Sequence, residues 1–366
     1  MTRDEAARLG RVTRVVAIGK RISDAGDPLG KEARRALPPV CHLSREGIEL
    51  ALTGHLETDP SDADLAALLA SAGRAPRCHV ALSSNVCTAA LRAFALAVAT
   101  SPVVTLRPSR RDPVLATILA RELGEDAAFR GHRGAITLAS RLLPMPGDEL
   151  HIYGSDETID RFRGLAGDGV ILRAHGTGLG VAVIGAGADL HAAASALAAD
   201  VVPFDQRGCL SPRAALVEGD ADRAAAFAEA LDLALLDEGE RVPRGPLDGA
   251  ARAEIAMYRA ATDAVGKSLE GPHHLVGLDL VPRALPLPPA ARVVHVAPAD
   301  AERASGLIAP WARHITAVGE ASASALADVI LSMAPWARRS PLGVMQKPPL
   351  DGPVDRRPSP PFAALS

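Results

Sequence analysis

Apolar and polar positions divide this chain into a helical start and two alternating units. Over residues 1–75 apolar side chains recur at helical spacing. Ser44 is placed as an N-cap before 45–52, and Leu65, Leu68 and Leu69 share one face of a helix over 62–72. From residue 78 the pattern changes. Apolar runs at 78–82, 102–106, 149–153, 170–173 and 181–184 read as buried strands, with a short segment at 134–138. Helical patterns at 88–100, 113–123, 157–165 and 189–199 separate them. This order is the signature of a parallel sheet with helices on both faces, whose ligands sit past the C-terminal strand ends. After residue 209 the pattern restarts, with strands over 214–217, 292–296 and 314–318. Helices are expected over 221–235, 247–264, 301–311 and 322–333. A second α/β unit is therefore predicted, with the boundary near 203–205. From Lys347 the chain is proline-rich (Pro348, Pro349, Pro353, Pro358, Pro360, Pro361) and is predicted extended. The expected organisation is 1–203, 204–340 and a tail over 341–366.

Composition narrows the function classes. A chain of 366 residues can bury two cores. Aromatics are only 3% of it, so Ala, Leu and Val must fill those cores. The net charge is −3 and the pI about 6.4, which gives no electrostatic reason to expect nucleic acid or an anionic membrane. The first residues, Met1-Thr2-Arg3-Asp4-Glu5, carry acid and no apolar stretch, so a secretory signal is not expected. The most membrane-like run, 93–99, is far shorter than a bilayer span and is bracketed by Arg92 and Pro102, so no membrane insertion is expected. The cysteines at 41, 78, 87 and 209 show no C-x-x-C spacing, which argues against zinc or a redox dithiol and fits a reducing cytoplasm. Adjacent His273 and His274 would point to opposite faces of a strand, so no metal is assigned.

The candidate chemistry centres on Phe204-Asp205-Gln206-Arg207-Gly208-Cys209-Leu210-Ser211-Pro212-Arg213. A thiol on such a loop can face a cleft, and thiolate is its reactive form. Arg207 and Arg213 are candidate cations to favour it. Lowering the pKa by about 1.5 units would ionise roughly half the thiol at pH 7, for about 2 kcal/mol. The alternative is a small buried apolar residue. Asn85, just past the first strand, can donate its amide to an oxyanion, an interaction worth about 3 kcal/mol, or can cap the helix beginning near Val86. Cys87 is a rival thiol whose apolar neighbours point to packing. Arg107-Pro108-Ser109-Arg110-Arg111 follows the second strand and can grip a phosphate, or be a solvated basic turn. If the ligand is a dinucleotide, this much positive charge suits a 2′-phosphate. Gly154-Ser155-Asp156-Glu157 can turn backbone amides toward a pyrophosphate, or Ser155 can simply cap a helix. Gly176-Thr177-Gly178-Leu179-Gly180 lacks G-x-G-x-x-G spacing and reads as a tight link that lets another segment approach.

In their order and spacing, over roughly residues 40–350, these segments resemble the aldehyde dehydrogenase superfamily. Within it they are most similar to the fatty acyl-CoA reductases of bacterial luminescence systems. The closing stretch Pro341-Leu342-Gly343-Val344-Met345-Gln346-Lys347-Pro348-Pro349-Leu350-Asp351 also looks like that narrower family. The resemblance implies an aldehyde-dehydrogenase-like α/β fold, with a Rossmann-like cofactor domain, a catalytic domain and an N-terminal helical segment. It implies Cys209 as nucleophile and Asn85 as oxyanion donor. Arg107, Ser109 and Arg110 would hold the adenosine ribose and its phosphate, with arginine where lysine is usual, and Gly154 and Ser155 would line the pyrophosphate. Oxidising members carry Glu-Leu-Gly-Gly, whose glutamate activates water. Here the corresponding stretch is Arg173-Ala174-His175-Gly176, without a carboxylate. That favours NADPH-dependent reduction of a long-chain acyl-CoA to the aldehyde through a cysteine thioester. His175 is the nearest proton-handling group by sequence, or else a turn histidine. The alternatives are aldehyde oxidation to the free acid, or a non-catalytic nucleotide- or acyl-binding relative in a multi-enzyme assembly. Expected partners are the acyl-CoA substrate and a homo-oligomer or an enzyme supplying acyl groups, although the oligomerisation hairpin of other members is hard to place.

Overall fold

The computed structural model describes residues 2–131 and 134–358. Met1, residues 132–133 and residues 359–366, with Pro360 and Pro361 of the expected extended tail, lie outside the described residues. The chain opens with α1 (Arg3–Ser23), α2 (Pro28–Ala36), α3 (Pro38–Cys41), α4 (Arg45–Gly54) and α5 (Asp62–Ser71). Thr2 and Ser61 close capping boxes and Asp27 and Ser44 cap their helices, so the starts follow from local chemistry. Next come β1 (Cys78–Ala81), α6 (Ala89–Thr100), β2 (Val103–Arg107), α7 (Val114–Glu125), β3 (Ala135–Leu138), β4 (Glu149–Tyr153), α8 (Asp156–Leu165) and β5 (Ile171–His175). The rest is β6 (Leu179–Ile184), α9 (Leu190–Val201), β7 (Pro212–Glu218), α10 (Ala221–Arg241), α11 (Gly249–Asp263), β8 (Lys267–Gly271), β9 (His274–Leu278), β10 (Val293–Ala299), α12 (Ala301–Ile308), β11 (Ile315–Ala321), α13 (Ala325–Met333) and β12 (Arg338–Pro341).

Among the described residues these strands form two sheets. One has the order β3-β2-β1-β4-β5 and is parallel throughout. The other runs β12-β11-β6-β7-β10-β9-β8 and is parallel except for the β8–β9 hairpin. Helices cover both faces of each, because parallel strands need crossovers and bury both sides. In the first sheet Val80, Val104 and Leu106 pack toward α1, α6 and α7, while Ala81, Leu150 and Ile152 meet Ile159 of α8. In the second, α9 and α10 cover one face and α12 and α13 the other.

The predicted boundary at 203–205 is not where the sheets divide. β6 pairs with β7 and β11, so the change of sheet falls at 176–178. A buried parallel strand carries the same apolar signature in either sheet, and pattern alone could not assign β6. The β8–β9 hairpin and β12 have no counterpart in the prediction. The polar run of β8 and Pro272 beside it hide the alternation.

Two features fix the ground around the cleft. Residues 90–100 of α6 are buried on every side, as a helix apolar all round must be. Its last carbonyls are satisfied by arginines of α1: Arg8 Nε donates to Ala99 O at 2.6 Å and Arg11 Nε to Val98 O at 2.7 Å. The second feature is the link from α9 to β7. Phe204, Asp205 and Gln206 are all left-handed, at φ 56°, 49° and 63°. Each such non-glycine residue costs about 1–3 kcal/mol unless its surroundings hold it. Asp205 Oδ1 accepts from Arg292 Nε at 2.9 Å and Nη2 at 2.8 Å, and its Oδ2 accepts from Gly245 N at 3.0 Å. Gln206 Nε2 donates to Pro212 O and Val293 O, and its Oε1 accepts from Val293 N. Asp205→Ala should therefore leave the Arg292 guanidinium buried without its counter-charge and lower stability by about 3–5 kcal/mol. Urea unfolding measures this, and an unchanged midpoint would show that the pair does not hold the turn.

Candidate active site

A cleft opens where the C-terminal ends of β1, β4 and β5 meet the loop before β7. It encloses about 270 Å³. Its wall is built from Asn85, the start of α6, Tyr153 to Ser155, the 175–178 link, residues 207–210 and the returning tail. Cys209, Asn85, His175, Gly154 and Ser155 all line it. Arg107, Ser109 and Arg110 do not; they sit at the neighbouring end of β2. The Arg107 guanidinium lies over the Phe162 ring of α8 at 5.3 Å, Ser109 Oγ accepts from Arg111 N at 3.2 Å, and Arg110 is exposed without an ion pair among the described residues.

Cys209 occupies a turn between Gly208 and Ser211, and its carbonyl accepts from Thr316 Oγ1 of β11. The glycine link makes this approach possible, as predicted. A Cβ on Gly178 would lie 2.6 Å from Thr316 Cγ2 and 3.0 Å from Cys209 Cβ, and one on Gly180 would lie 2.4 Å from Leu210 O. The expected cations are a correction. Arg207 donates to Cys41 O and His42 O, and Arg213 to Pro288 O, so both brace backbone. The charges that reach the thiol are instead Asp355, which raises its pKa, and Arg357 and Arg92, which lower it. Cys209 is partly exposed as a residue, yet burial of its sulfur dominates, and the thiol is pushed up to about 11. A depressed pKa is therefore not found, and the neutral thiol is favoured at pH 7. Cys87 is buried, and burial pushes its thiol up as well, in keeping with packing.

Asn85 is not the helix cap. α6 begins at Ala89 with Thr88 in the cap position and no side-chain cap bond. The Asn85 amide is exposed in the cleft and has no hydrogen-bond partner among the described residues. Ser155 does cap α8, accepting from Thr158 N at 3.3 Å. His175 ends β5, is buried, and stacks on Tyr153 with centroids 4.2 Å apart. Its Nε2 lies 3.2 Å from His151 Nδ1, while its own Nδ1 has no partner. Burial above all, with the charges of Arg173 and Arg357, holds it well below the ordinary histidine range, so it is neutral.

The tail is what sequence reasoning missed. Over its described part the tail is non-helical, as the prolines predict, but it is bent rather than extended and folds back into the cleft. Arg92 Nη2 donates to Pro348 O at 3.0 Å and Pro349 O at 2.7 Å, and Arg338 Nη2 to Asp351 Oδ1 at 2.6 Å and Pro353 O at 2.9 Å. This brings Asp355 against the 175–178 link, where its Oδ2 accepts from Gly176 N at 3.2 Å and Arg357 Nη2 at 2.6 Å. Its Oδ1 accepts from Arg357 N and Nε. The one signal available was the Asp-x-Arg beyond the prolines, which carries no long-range information.

Comparison with known proteins agrees with this geometry. Residues 69–347 match the family described as acyl-CoA reductase (LuxC). No curated protein matches the sequence. Solved structures with the same fold include an NAD-dependent benzaldehyde dehydrogenase from Corynebacterium glutamicum, at 17% identity and TM-score 0.67, covering 92% of this chain and 79% of that one. Aldehyde dehydrogenase 21 from Physcomitrella patens has 14% identity and TM-score 0.68, covering 93% and 78%. A propionaldehyde dehydrogenase from the Clostridium phytofermentans fucose utilisation bacterial microcompartment has 11% identity and TM-score 0.62, covering 93% and 82%. The fold is aldehyde-dehydrogenase-like. Among the described residues no helix is long and apolar enough to cross a membrane.

The thiol state is directly testable. Thiolate is the form that reacts, and its fraction grows with pH until the pKa is passed. Alkylation of Cys209 in the free protein by iodoacetamide, followed on its peptide by mass spectrometry, should rise about tenfold per pH unit from 7 to 10. A plateau reached below pH 8 would mean that the thiol is ionised and the burial argument wrong.

Proposed function

The chain belongs to the acyl-CoA reductase (LuxC) family, and we propose that it reduces a long-chain acyl-CoA to the aldehyde with NADPH, through a thioester on Cys209. The observation that carries this is the cleft wall. Among the described residues it holds a cysteine, two imidazoles (His55 and His175) and an unpartnered amide, but no free carboxylate. Of its acids, Glu57 accepts from Arg92 Nε and Nη2, and the four donor bonds to Asp355 are described above. An acyl group on Cys209 then meets no free carboxylate of the kind that activates water in the oxidising members, which favours reduction over hydrolysis.

The residues fit a dinucleotide. The start of α8 opens onto the cleft at Gly154-Ser155; Gly154 N donates to His175 O at 3.1 Å, so the amides from Ser155 onward would face a pyrophosphate. A Cβ on Gly154 would crowd Thr158 at 3.0 Å, so the rim is shaped for a bare backbone. Arg107, Ser109 and Arg110 would hold the ribose 2′-phosphate at the end of β2. When bound, the reduced nicotinamide supplies the hydride.

The chain's own residues do the rest. Cys209 Sγ gives up its proton and attacks the thioester carbonyl, the bond from carbon to the CoA sulfur breaks, and CoA leaves as the thiol. Asn85 donates to the developing oxyanion, at about 3 kcal/mol in the transition state. His175, neutral in the resting cleft, takes and returns the proton. After reduction the thiohemiacetal on Cys209 collapses, which releases aldehyde and restores the sulfur.

Protein mixed with acyl-CoA and NADPH should consume the absorbance of reduced nicotinamide and yield aldehyde. Cys209→Ala should abolish this, while Cys87→Ala should retain it; the reverse pattern sinks the proposal, as does turnover of aldehyde to free acid without CoA. Binding of NADPH with no acyl transfer at all would mark a non-catalytic relative. Arg110→Ala should raise the KM for NADPH about tenfold, roughly the 1.4 kcal/mol of one lost phosphate contact, and leave that for NADH unchanged. Equal effects on both cofactors would remove Arg110 from the 2′-phosphate.

A further inference from the structure

We infer that Glu149 and His151 are positioning residues that set the tautomer of His175 and make it the proton acceptor of the cleft. The inference rests on the acyl-transfer reading above and deepens it. Glu149, His151 and Tyr153 alternate along β4 and so share one face of the first sheet, and His175 of β5 pairs with Tyr153. Glu149 Oε1 lies 2.8 Å from His151 Nε2, and His151 Nδ1 lies 3.2 Å from His175 Nε2. The row therefore runs from inside the sheet to the cleft wall.

Its direction follows from the first member. An ionised carboxylate only accepts, so His151 Nε2 must carry the hydrogen. In a neutral imidazole the other nitrogen is then a lone pair. His151 Nδ1 accepts, and His175 Nε2 must donate to it. That leaves His175 Nδ1 as a bare acceptor, and this is the atom that is buried without a partner. The row thus ends on a buried, unpartnered acceptor nitrogen of a residue that lines the cleft shared with Cys209.

The charged neighbours support a neutral acceptor at rest. Arg173 Nε lies 3.4 Å from Glu149 Oε1, and Cys78 of β1 also faces that carboxylate. Arg173 and Arg357 face His175, Tyr153 stacks on it, and Asp355 is held at the adjacent Gly176 amide. Burial pushes the Glu149 carboxyl upward, but its hydrogen bond to His151, and then Arg173, outweigh it, so the carboxylate form that orders the row is favoured. Around His175 the arginines oppose a cation, and its nitrogen stays free to accept. During acyl transfer the Sγ proton passes to His175 Nδ1 as the sulfur–carbon bond forms. The CoA sulfur, leaving with the electron pair of the broken bond, takes that proton back. Acyl-CoA and thiol become enzyme thioester and CoA thiol, with no net proton change.

Two measurements test this separately. Nitrogen-15 NMR of histidine-labelled protein at pH 7–8 should show His151 and His175 both protonated at Nε2 and bare at Nδ1. Finding His175 protonated at Nδ1 overturns the inference, whatever the protein catalyses. Release of CoA from acyl-CoA in a single turnover, without nicotinamide, should be nearly independent of pH between 7 and 9 in the wild type. In Glu149→Gln it should drop at least tenfold at pH 7 and regain about tenfold per pH unit, because only pre-formed thiolate then attacks. His151→Gln, which breaks the row in its middle, should show the same slope and serves if Glu149→Gln does not fold. A variant with a flat profile, or a loss equal at every pH, makes the role structural and overturns the inference. If the wild type releases no CoA although the tautomers are as stated, the acyl-transfer reading has failed and the row stands as an acceptor for other chemistry.

Discussion

The buried ion pair between Asp205 and Arg292 holds three consecutive left-handed residues in place, and the position of the cleft sulfur follows from them. Both side chains are 1% exposed. A lone charge at such a depth would be strongly destabilising, so neither residue is independent of the other. Gln206 extends the clamp by joining the starts of β7 and β10 through its amide. The sharp turn lets the chain leave α9, reverse, and present residues 207–210 over the glycine link from the first sheet. The thiol is thus placed by the second sheet and crowded by the link between the two.

A second constraint is compositional. With 3% aromatics the cores are built from small aliphatic side chains, and helices such as α6 sit close to their neighbours. Close packing leaves backbone carbonyls at helix ends and in the tail with little access to water. Arginine meets that need repeatedly. Arg8, Arg92, Arg207 and Arg338 each reach carbonyl oxygens across long stretches of sequence. A planar fork with several donors suits this work better than lysine. Arg92 in particular ties α6, which forms the floor of the cleft, to the tail that forms its wall.

Much of this was legible beforehand. Ser44 and Ser155 marked helix starts because an N-cap is local chemistry. The approach of the 176–180 link was readable because glycines at that density have few other uses. The loop bearing Cys209 and the strand end before Asn85 were located by pattern, and His175 through the resemblance. The environment of the sulfur was not. Arg207 and Arg213 are its neighbours in sequence, but their forks turn to carbonyls, and the charges that matter come from α6 and from residues 355–357. Nor could alternation along β4 reveal that Glu149 and His151 are buried polar residues in a row, because burial of a strand on both faces is decided by its neighbours. The sheet membership of β6 was hidden for the same reason.

A sulfur held as the neutral thiol at rest has a consequence for durability. Oxidation to sulfenic acid, and beyond it to forms no reductant restores, begins at the thiolate. An enzyme that kept its nucleophile permanently charged would expose it to every passing peroxide between turnovers. In the mechanism proposed above, the sulfur would lose its proton only as an acyl carbon arrives to take it, so the idle protein would be shielded by its own proton.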